Sequence, residues 1–176
     1  MSKTDIGYTL FDTGLGACGI AWSAAGVTRV RLPGGKGLEE RLRASTGLAA
    51  ASEPPSAIAA VIARLRRYFA GDPVEFAAAP VDHSGVPPFN AVLYGEMRKL
   101  RWGETTTYGE LARRAGEPNG ARAVGKAMGQ NPTPVLIPCH RVLAAGDKLG
   151  GFSAWGGDVT KERLLVLERV RLPLLV

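Results

Sequence analysis

Thr107-Tyr108-Gly109-Glu110-Leu111-Ala112-Arg113-Arg114-Ala115 runs into Gly116-Glu117-Pro118-Asn119-Gly120, and then into Ala121-Arg122-Ala123-Val124-Gly125-Lys126-Ala127-Met128-Gly129. The middle segment is a helix breaker, so helices are expected over 107–115 and 121–128. Two short helices across a glycine-containing turn are the plan of a helix-turn-helix. In the second helix Arg122 and Lys126 stand four residues apart on one face. Their neighbours Ala121, Ala123, Gly125 and Ala127 would let the backbone approach a surface closely. That suits a groove of nucleic acid, but a small-residue helix packed on its own domain has the same composition. Tyr108, near a helix start, is equally open to a structural or a functional reading.

Immediately downstream comes Asn131-Pro132-Thr133-Pro134-Val135-Leu136-Ile137-Pro138-Cys139-His140-Arg141-Val142. Residues 135–137 suit a short buried strand with prolines on either side, which places Cys139 at a rigidly held strand end. A free thiol has a pKa near ~8.5, so nucleophilicity at neutral pH needs a base or a positive field nearby. His140 and Arg141 can supply these. Neighbours on an extended strand point to opposite faces, so His140 reaches the sulfur only if the chain turns or a water relays the proton. The loop 144–151 reads as a hairpin or wing. Asp158 or Thr160 is placed to cap a last helix ending near Val170. Within that helix Glu168 follows Leu164-Leu165-Val166-Leu167, a setting that calls for a buried partner. With His140 as that partner, Cys139, His140 and Glu168 would form a relay.

Upstream, Phe89, Val92, Leu93, Met97 and Leu100 recur at helical spacing, and Gly95 among them, at a cost of about 1 kcal/mol against alanine, suggests a close contact. Residues 80–88 read as a linker. Before it lies a helix over 57–69 whose apolar face carries Ile58, Val61, Ile62, Leu65 and Phe69, stopped by Gly71 and Pro73. The first thirty residues alternate as strands over 8–11, 17–22 and 27–32, with turns at 12–16 and 23–26, followed by a short helix over 38–44. The expected class is therefore α+β, a small antiparallel sheet with a packed helix preceding the helix-turn-helix.

Composition narrows the function. With 176 residues and 45% hydrophobic content the chain can bury a core. The start lacks a basic stretch with an apolar signal core, and no run approaches the roughly 18 apolar residues of a membrane helix, so a cytoplasmic protein with no membrane partner is expected. Cys18 and Cys139 are the only cysteines, and no disulfide is expected in a reducing compartment. The soft metal ligands are Cys18, His83, Cys139 and His140, and a four-ligand zinc site would consume the Cys139-His140 pair, so no metal is expected. Of the net charge of +6, residues 1–85 contribute nine Lys/Arg against eight Asp/Glu, and residues 86–176 thirteen against eight. The second half is the expected polyanion surface.

The segments Pro138-Cys139-His140-Arg141-Val142, Asn131-Pro132, Ala121-Arg122-Ala123-Val124 and Tyr108-Gly109-Glu110-Leu111-Ala112 together resemble the methylated-DNA–protein-cysteine methyltransferases, or 6-O-alkylguanine-DNA alkyltransferases. The resemblance is most specific from Phe89 to Glu168. The first half is similar more loosely, through Arg31-Leu32-Pro33-Gly34 and Tyr68-Phe69-Ala70-Gly71. It implies a ribonuclease-H-like N-terminal domain over 1–85 and a winged helix-turn-helix domain over 86–176. It also implies a monomer that needs no cofactor, acts on alkylated double-stranded DNA, and moves an alkyl group once from the guanine 6-oxygen, or less readily the thymine 4-oxygen, to Cys139. By position His140 would be the base acting through a water, and Glu168 would orient it. Tyr108 and the Ser153 amide would assist the leaving purine, the Val142 carbonyl would read the guanine amino group, and Asn131 would tie the recognition helix to the active-site strand. Arg122 would fill the space of a flipped base, on a helix whose Ala121, Ala123, Gly125 and Lys126 meet the DNA.

The chain departs from the family pattern at Phe152, where tyrosine is expected, at Ala154-Trp155-Gly156-Gly157, and at Tyr94-Gly95, where tryptophan is expected. Competing readings are a lesion-binding relative without transfer, a cysteine hydrolase using Cys139, His140 and Glu168, and a winged-helix regulator with an incidental cysteine.

Overall fold

A computed structural model describes residues 6–34, 36–48, 50–150 and 161–171. Three strands, β1 (Gly7–Thr13), β2 (Gly16–Ser23) and β3 (Gly26–Arg31), form an antiparallel sheet in chain order. The alternation seen in the sequence is realised: Cys18, Ile20 and Trp22 on β2 and Val27 and Val30 on β3 are buried in one core. Helix α1 (Leu38–Thr46) covers one side through Leu42, and α2 (Ser56–Phe69) covers the other. All five apolar residues expected on the α2 face are buried, and Tyr68 joins them.

The linker expected over 80–88 is partly sheet. Val81 bridges Val27 in parallel, Val27 N–H donates to Pro80 O at 2.9 Å, and Asp82 N–H to Val27 O at 2.9 Å. The free edge of β3 supplies unpaired backbone groups, and the passing chain satisfies them.

Helix α3 (Pro88–Met97) buries Leu93, Tyr94 and Met97. Val92, expected on the apolar face, is 52% exposed; Tyr94 takes the core position and donates to Ala127 O at 2.8 Å. Gly95 makes no close contact, since a Cβ there would meet nothing within 4 Å. Strand β4 (Thr106–Thr107) leads into α4 (Tyr108–Arg114), where Thr107 caps the helix by accepting from Glu110 N–H at 3.1 Å. Gly116, at φ 79°, ends that turn, and α5 (Ala121–Gly129) follows. Val124 and Ala127 are the buried residues of α5 and pack against Leu93, Tyr94 and Leu111.

Residues 135–137 are not a strand. Ile137 N–H returns to Thr133 O at 3.0 Å, Val135 sits at φ 74°, and Cys139–Arg141 is a 3-10 turn. Pro134 and Pro138 lack the donors that a ladder needs, and the apolar run is buried as a tight loop instead. A β-branched residue at positive φ stores strain on the order of 1–3 kcal/mol, held here by burial of Val135 among the residues of the sheet core. Strand β5 (Val142–Leu143) then pairs in parallel with β4, Ala144 and Lys148 close the expected hairpin, and α6 (Lys161–Leu167) is the last helix among the described residues. The proposed caps Asp158 and Thr160 lie outside the described residues.

Gly26 gives a sharp test of the sheet edge. It adopts φ 143°, and a Cβ there would lie 2.6 Å from the Pro80 carbonyl carbon. Gly26→Ala should lower unfolding free energy by about 2 kcal/mol or more, read by urea denaturation, because strain and a backbone clash act together. A change under about 0.5 kcal/mol would contradict the packing of residues 80–82 on β3.

Candidate active site around Cys139

The 3-10 turn answers the directional problem posed by adjacent residues on a strand. Cys139, His140 and Arg141 are all buried, and His140 turns toward α6. There its Nε2 lies 2.7 Å from Glu168 Oε1, with side-chain exposures of 1% and 0%. The pair expected from sequence is therefore in place, and Glu168 has more partners than expected. Arg141 Nε donates to Oε2 and its Nη2 to Oε1, both at 2.9 Å, while Gly103 N–H donates to Oε2 at 3.2 Å. Tyr68 O–H, from the last turn of α2, donates to Oε1 at 2.7 Å.

Electrostatics follow from this geometry. Burial by itself would raise the Glu168 pKa, but the hydrogen bonds from His140 and Arg141 and the guanidinium charge of Arg141 outweigh it and hold the carboxyl at about 2. Burial lowers the His140 pKa against the pull of Glu168, so the imidazole rests neutral at pH 7. Its Nδ1 has no hydrogen-bond partner among the described residues. Burial raises the Cys139 thiol pKa, opposed by the Asn131 side chain and the charge of Lys161.

Asn131, expected to join the recognition helix to a strand, lies between α5 and the loop before Cys139. Its backbone N–H bonds Met128 O at the end of α5, its Nδ2 donates to Ile137 O at 2.9 Å, and its Oδ1 accepts from Thr133 N–H at 3.0 Å. One residue thus links α5, through its backbone N–H, to the loop that carries Cys139, through its side chain. Tyr108 is half-buried beside this loop, and Gly150 approaches its ring closely enough that a Cβ would lie 3.1 Å from it. The Val142 carbonyl accepts from Lys161 Nζ, which also stands 5.6 Å from the Tyr108 ring centroid.

On the outer face of α5, Ala121, Arg122, Ala123 and Lys126 are exposed. A Cβ on Gly125 would meet nothing within 4 Å, so the small residues leave open space beside Arg122 and Lys126. Ser153, Phe152 and the 154–157 segment lie outside the described residues.

Sequence reasoning missed two participants. Lys161 is 3% exposed and faces Cys139, with its pKa lowered by burial to about 8; nothing in its sequence neighbourhood marks it. Tyr68 looked like an ordinary helix-end aromatic, and only its presence in the Tyr68-Phe69-Ala70-Gly71 segment set it apart. Arg141 was a candidate field for the thiol, but its guanidinium is committed to Glu168 and to Leu100 O at 2.6 Å.

The Glu168 cluster predicts an acid-labile fold. Its carboxyl pKa falls from the usual 4.5 to about 2, so the associated stability is present above pH 4.5 and disappears as pH drops through 2. That span corresponds to about 3 kcal/mol. Glu168→Gln should cost about 3–5 kcal/mol at pH 7 by leaving the Arg141 charge buried without its counter-ion. It should also flatten the stability profile between pH 4.5 and 2. Urea unfolding across that range checks both, and an unaltered profile in the variant would remove Glu168 as the acid-sensitive group.

Comparison with known proteins bears on both halves of the chain. Residues 88–170 match the family model of the 6-O-methylguanine DNA methyltransferase DNA-binding domain. A methylated-DNA–protein-cysteine methyltransferase of Mycolicibacterium paratuberculosis is 41% identical over 122 residues, covering 69% of this chain and 72% of that protein. The protein of the same name from Cricetulus griseus is 32% identical over 173 residues, covering 93% and 82%. The crystal structure of Mycobacterium tuberculosis OGT in complex with DNA superposes with a TM-score of 0.73 at 31% identity, covering 92% of each chain. The similarity thus extends from the cysteine-bearing half across the N-terminal sheet, and the chain belongs to the methylated-DNA–protein-cysteine methyltransferase family.

Proposed function

We propose that this protein repairs DNA by moving an alkyl group from the 6-oxygen of guanine to Cys139, once per chain. The observation that carries the reading is the buried hydrogen bond from His140 Nε2 to Glu168, which leaves Nδ1 as the basic nitrogen of a neutral imidazole on the residue that follows Cys139. The same chemistry extends less readily to the 4-oxygen of alkylated thymine.

In this mechanism His140 Nδ1 takes the Cys139 thiol proton through a water, and Glu168 holds the ring so that this nitrogen faces the sulfur. The thiolate then attacks the alkyl carbon. A carbon–sulfur bond forms as the bond from carbon to the guanine 6-oxygen breaks, and its electron pair stays on the purine. Tyr108 donates a hydrogen bond to a purine ring nitrogen as charge develops there, with the Ser153 amide assisting, and the proton held by His140 passes through water to the guanine anion, which is left neutral. The buried Lys161 ammonium supports the thiolate by charge. The Val142 carbonyl that Lys161 holds is also the acceptor for the guanine amino group, so the ammonium gives way or shares it when the base enters. The product is a thioether, which does not hydrolyse, and the protein is consumed.

The partner is double-stranded DNA, bound by a monomer through the exposed face of α5. Its base must leave the stack, at a cost of a few kcal/mol. Arg122 fills the space left behind, with Ala121, Ala123, Gly125 and Lys126 allowing close approach and Asn131 coupling α5 to the Cys139 loop. In this reading residues 86–176 are a winged helix-turn-helix domain, with α4 and α5 as the helix pair and the 144–148 hairpin as the wing. Residues 1–85 are a ribonuclease-H-like domain.

Intact-protein mass spectrometry after incubation with duplex DNA containing one 6-O-methylguanine should show a single methyl gain on Cys139 that stops at one per chain. Cys139→Ser should gain none and still prefer the lesion duplex. Turnover beyond one equivalent would point to a hydrolase instead. Arg122→Ala should slow repair of the duplex about tenfold, or roughly 1.4 kcal/mol, and slow reaction with free alkylguanine base much less. Equal losses on the two substrates would remove Arg122 from base extrusion.

A further inference from the structure

We infer that Tyr68, a residue of the N-terminal half, is a positioning residue that acts with Glu168 to fix which nitrogen of His140 carries the proton and tunes how readily that ring is protonated. This rests on the alkyl-transfer reading only for its functional consequence; the tautomer itself can be measured in the protein alone.

Tyr68 is fully buried at the end of α2, its ring held edge-on by Phe69, Phe76 and Trp102 at centroid distances of 5.3, 5.8 and 5.3 Å. Its hydroxyl stands 2.7 Å from Glu168 Oε1 and 3.3 Å from His140 Nε2. A phenol has one proton to give. An ionised carboxylate is the stronger acceptor, so the proton lies toward Glu168 and the phenolic oxygen turns a lone pair toward Nε2. Burial and the Glu168 charge push the Tyr68 pKa well above its usual value, so this proton stays in place at every working pH. His140 Nε2 then faces two oxygen acceptors, Glu168 Oε1 and Tyr68 Oη, and must itself carry hydrogen. The ring's lone pair is thereby assigned to Nδ1.

A second effect runs through the carboxylate. His140 is faced by Lys161 from α6 and Glu168 just after it, by Arg141 from its own turn, and by Tyr68 from α2. Each donor on Glu168 weakens its pull on the Nε2 proton. Tyr68 therefore helps keep the imidazole neutral, with Nδ1 available as a base.

The test uses the full chain with 15N-labelled histidine, whose two histidines are separable by comparison with His83→Gln. In the unaltered protein the His140 shifts should report hydrogen on Nε2 and a lone pair on Nδ1; the opposite tautomer would overturn the inference with no variant needed. Tyr68→Phe preserves the ring and its edge contacts and removes one donor from Glu168. The NMR titration of His140 should then move up by about one pH unit. The acid limb of the Cys139 reaction with free alkylguanine base should rise with it. An unshifted titration, with only a lower melting temperature or a loss of rate equal at all pH values, would make Tyr68 merely structural. If the unaltered protein transfers no alkyl group, the functional reading fails while the histidine titration still decides the role of Tyr68.

Discussion

One ionised carboxylate in the interior organises this protein. Glu168 has almost no contact with water and receives hydrogen bonds from the side chains of Tyr68, His140 and Arg141 and from the Gly103 backbone. A charge buried this way is tolerable only when its lone pairs are occupied and an opposite charge adjoins it, and Arg141 meets both conditions. The donors come from α2, from the turn after α3 and from the Cys139 turn, while Glu168 itself follows α6. Four distant parts of the chain are thus pinned at one point, and the imidazole beside the thiol takes its orientation from that point.

The apolar packing repeats this convergence. Val135, Leu136 and Leu164 belong to the core under the β1–β3 sheet, whereas Ile137, Cys139 and Val142 belong to the core between α3, α4 and α5. The loop before the thiol therefore crosses from one core to the other within three residues. Strain at Val135 persists because its side chain is gripped on the sheet side, while Asn131 grips Ile137 on the other. Rigidity at Cys139 comes from this double anchorage rather than from strand pairing.

Much of the fold could be read directly from residue patterns. Strand alternation in the first thirty residues, the apolar face of α2 and the breaker between α4 and α5 each carry a local signal, and each formed as expected. Residues 135–137 misled because a short apolar run fits a buried strand and a buried turn equally well. The His140–Glu168 pair was readable because a carboxylate in an apolar helix demands a partner. Tyr68 was not, because its contacts lie 72 and 100 residues away and nothing local distinguishes a hydroxyl that bonds a distant carboxylate from one that meets solvent. Lys161 was hidden for the same reason. Gly95 shows the converse error, since the absence of a side chain told nothing about whether a neighbour was near.

The order in which these parts leave the ribosome follows from where Glu168 stands. Tyr68 is made first and folds into α2, Cys139 appears much later, and Lys161 and Glu168 come only with α6. Until that last helix docks, His140 has no carboxylate to fix its tautomer and the thiol has no neighbouring ammonium. The nascent chain therefore carries Cys139 without an oriented base or a neighbouring ammonium, and both arrive only with completion of the fold.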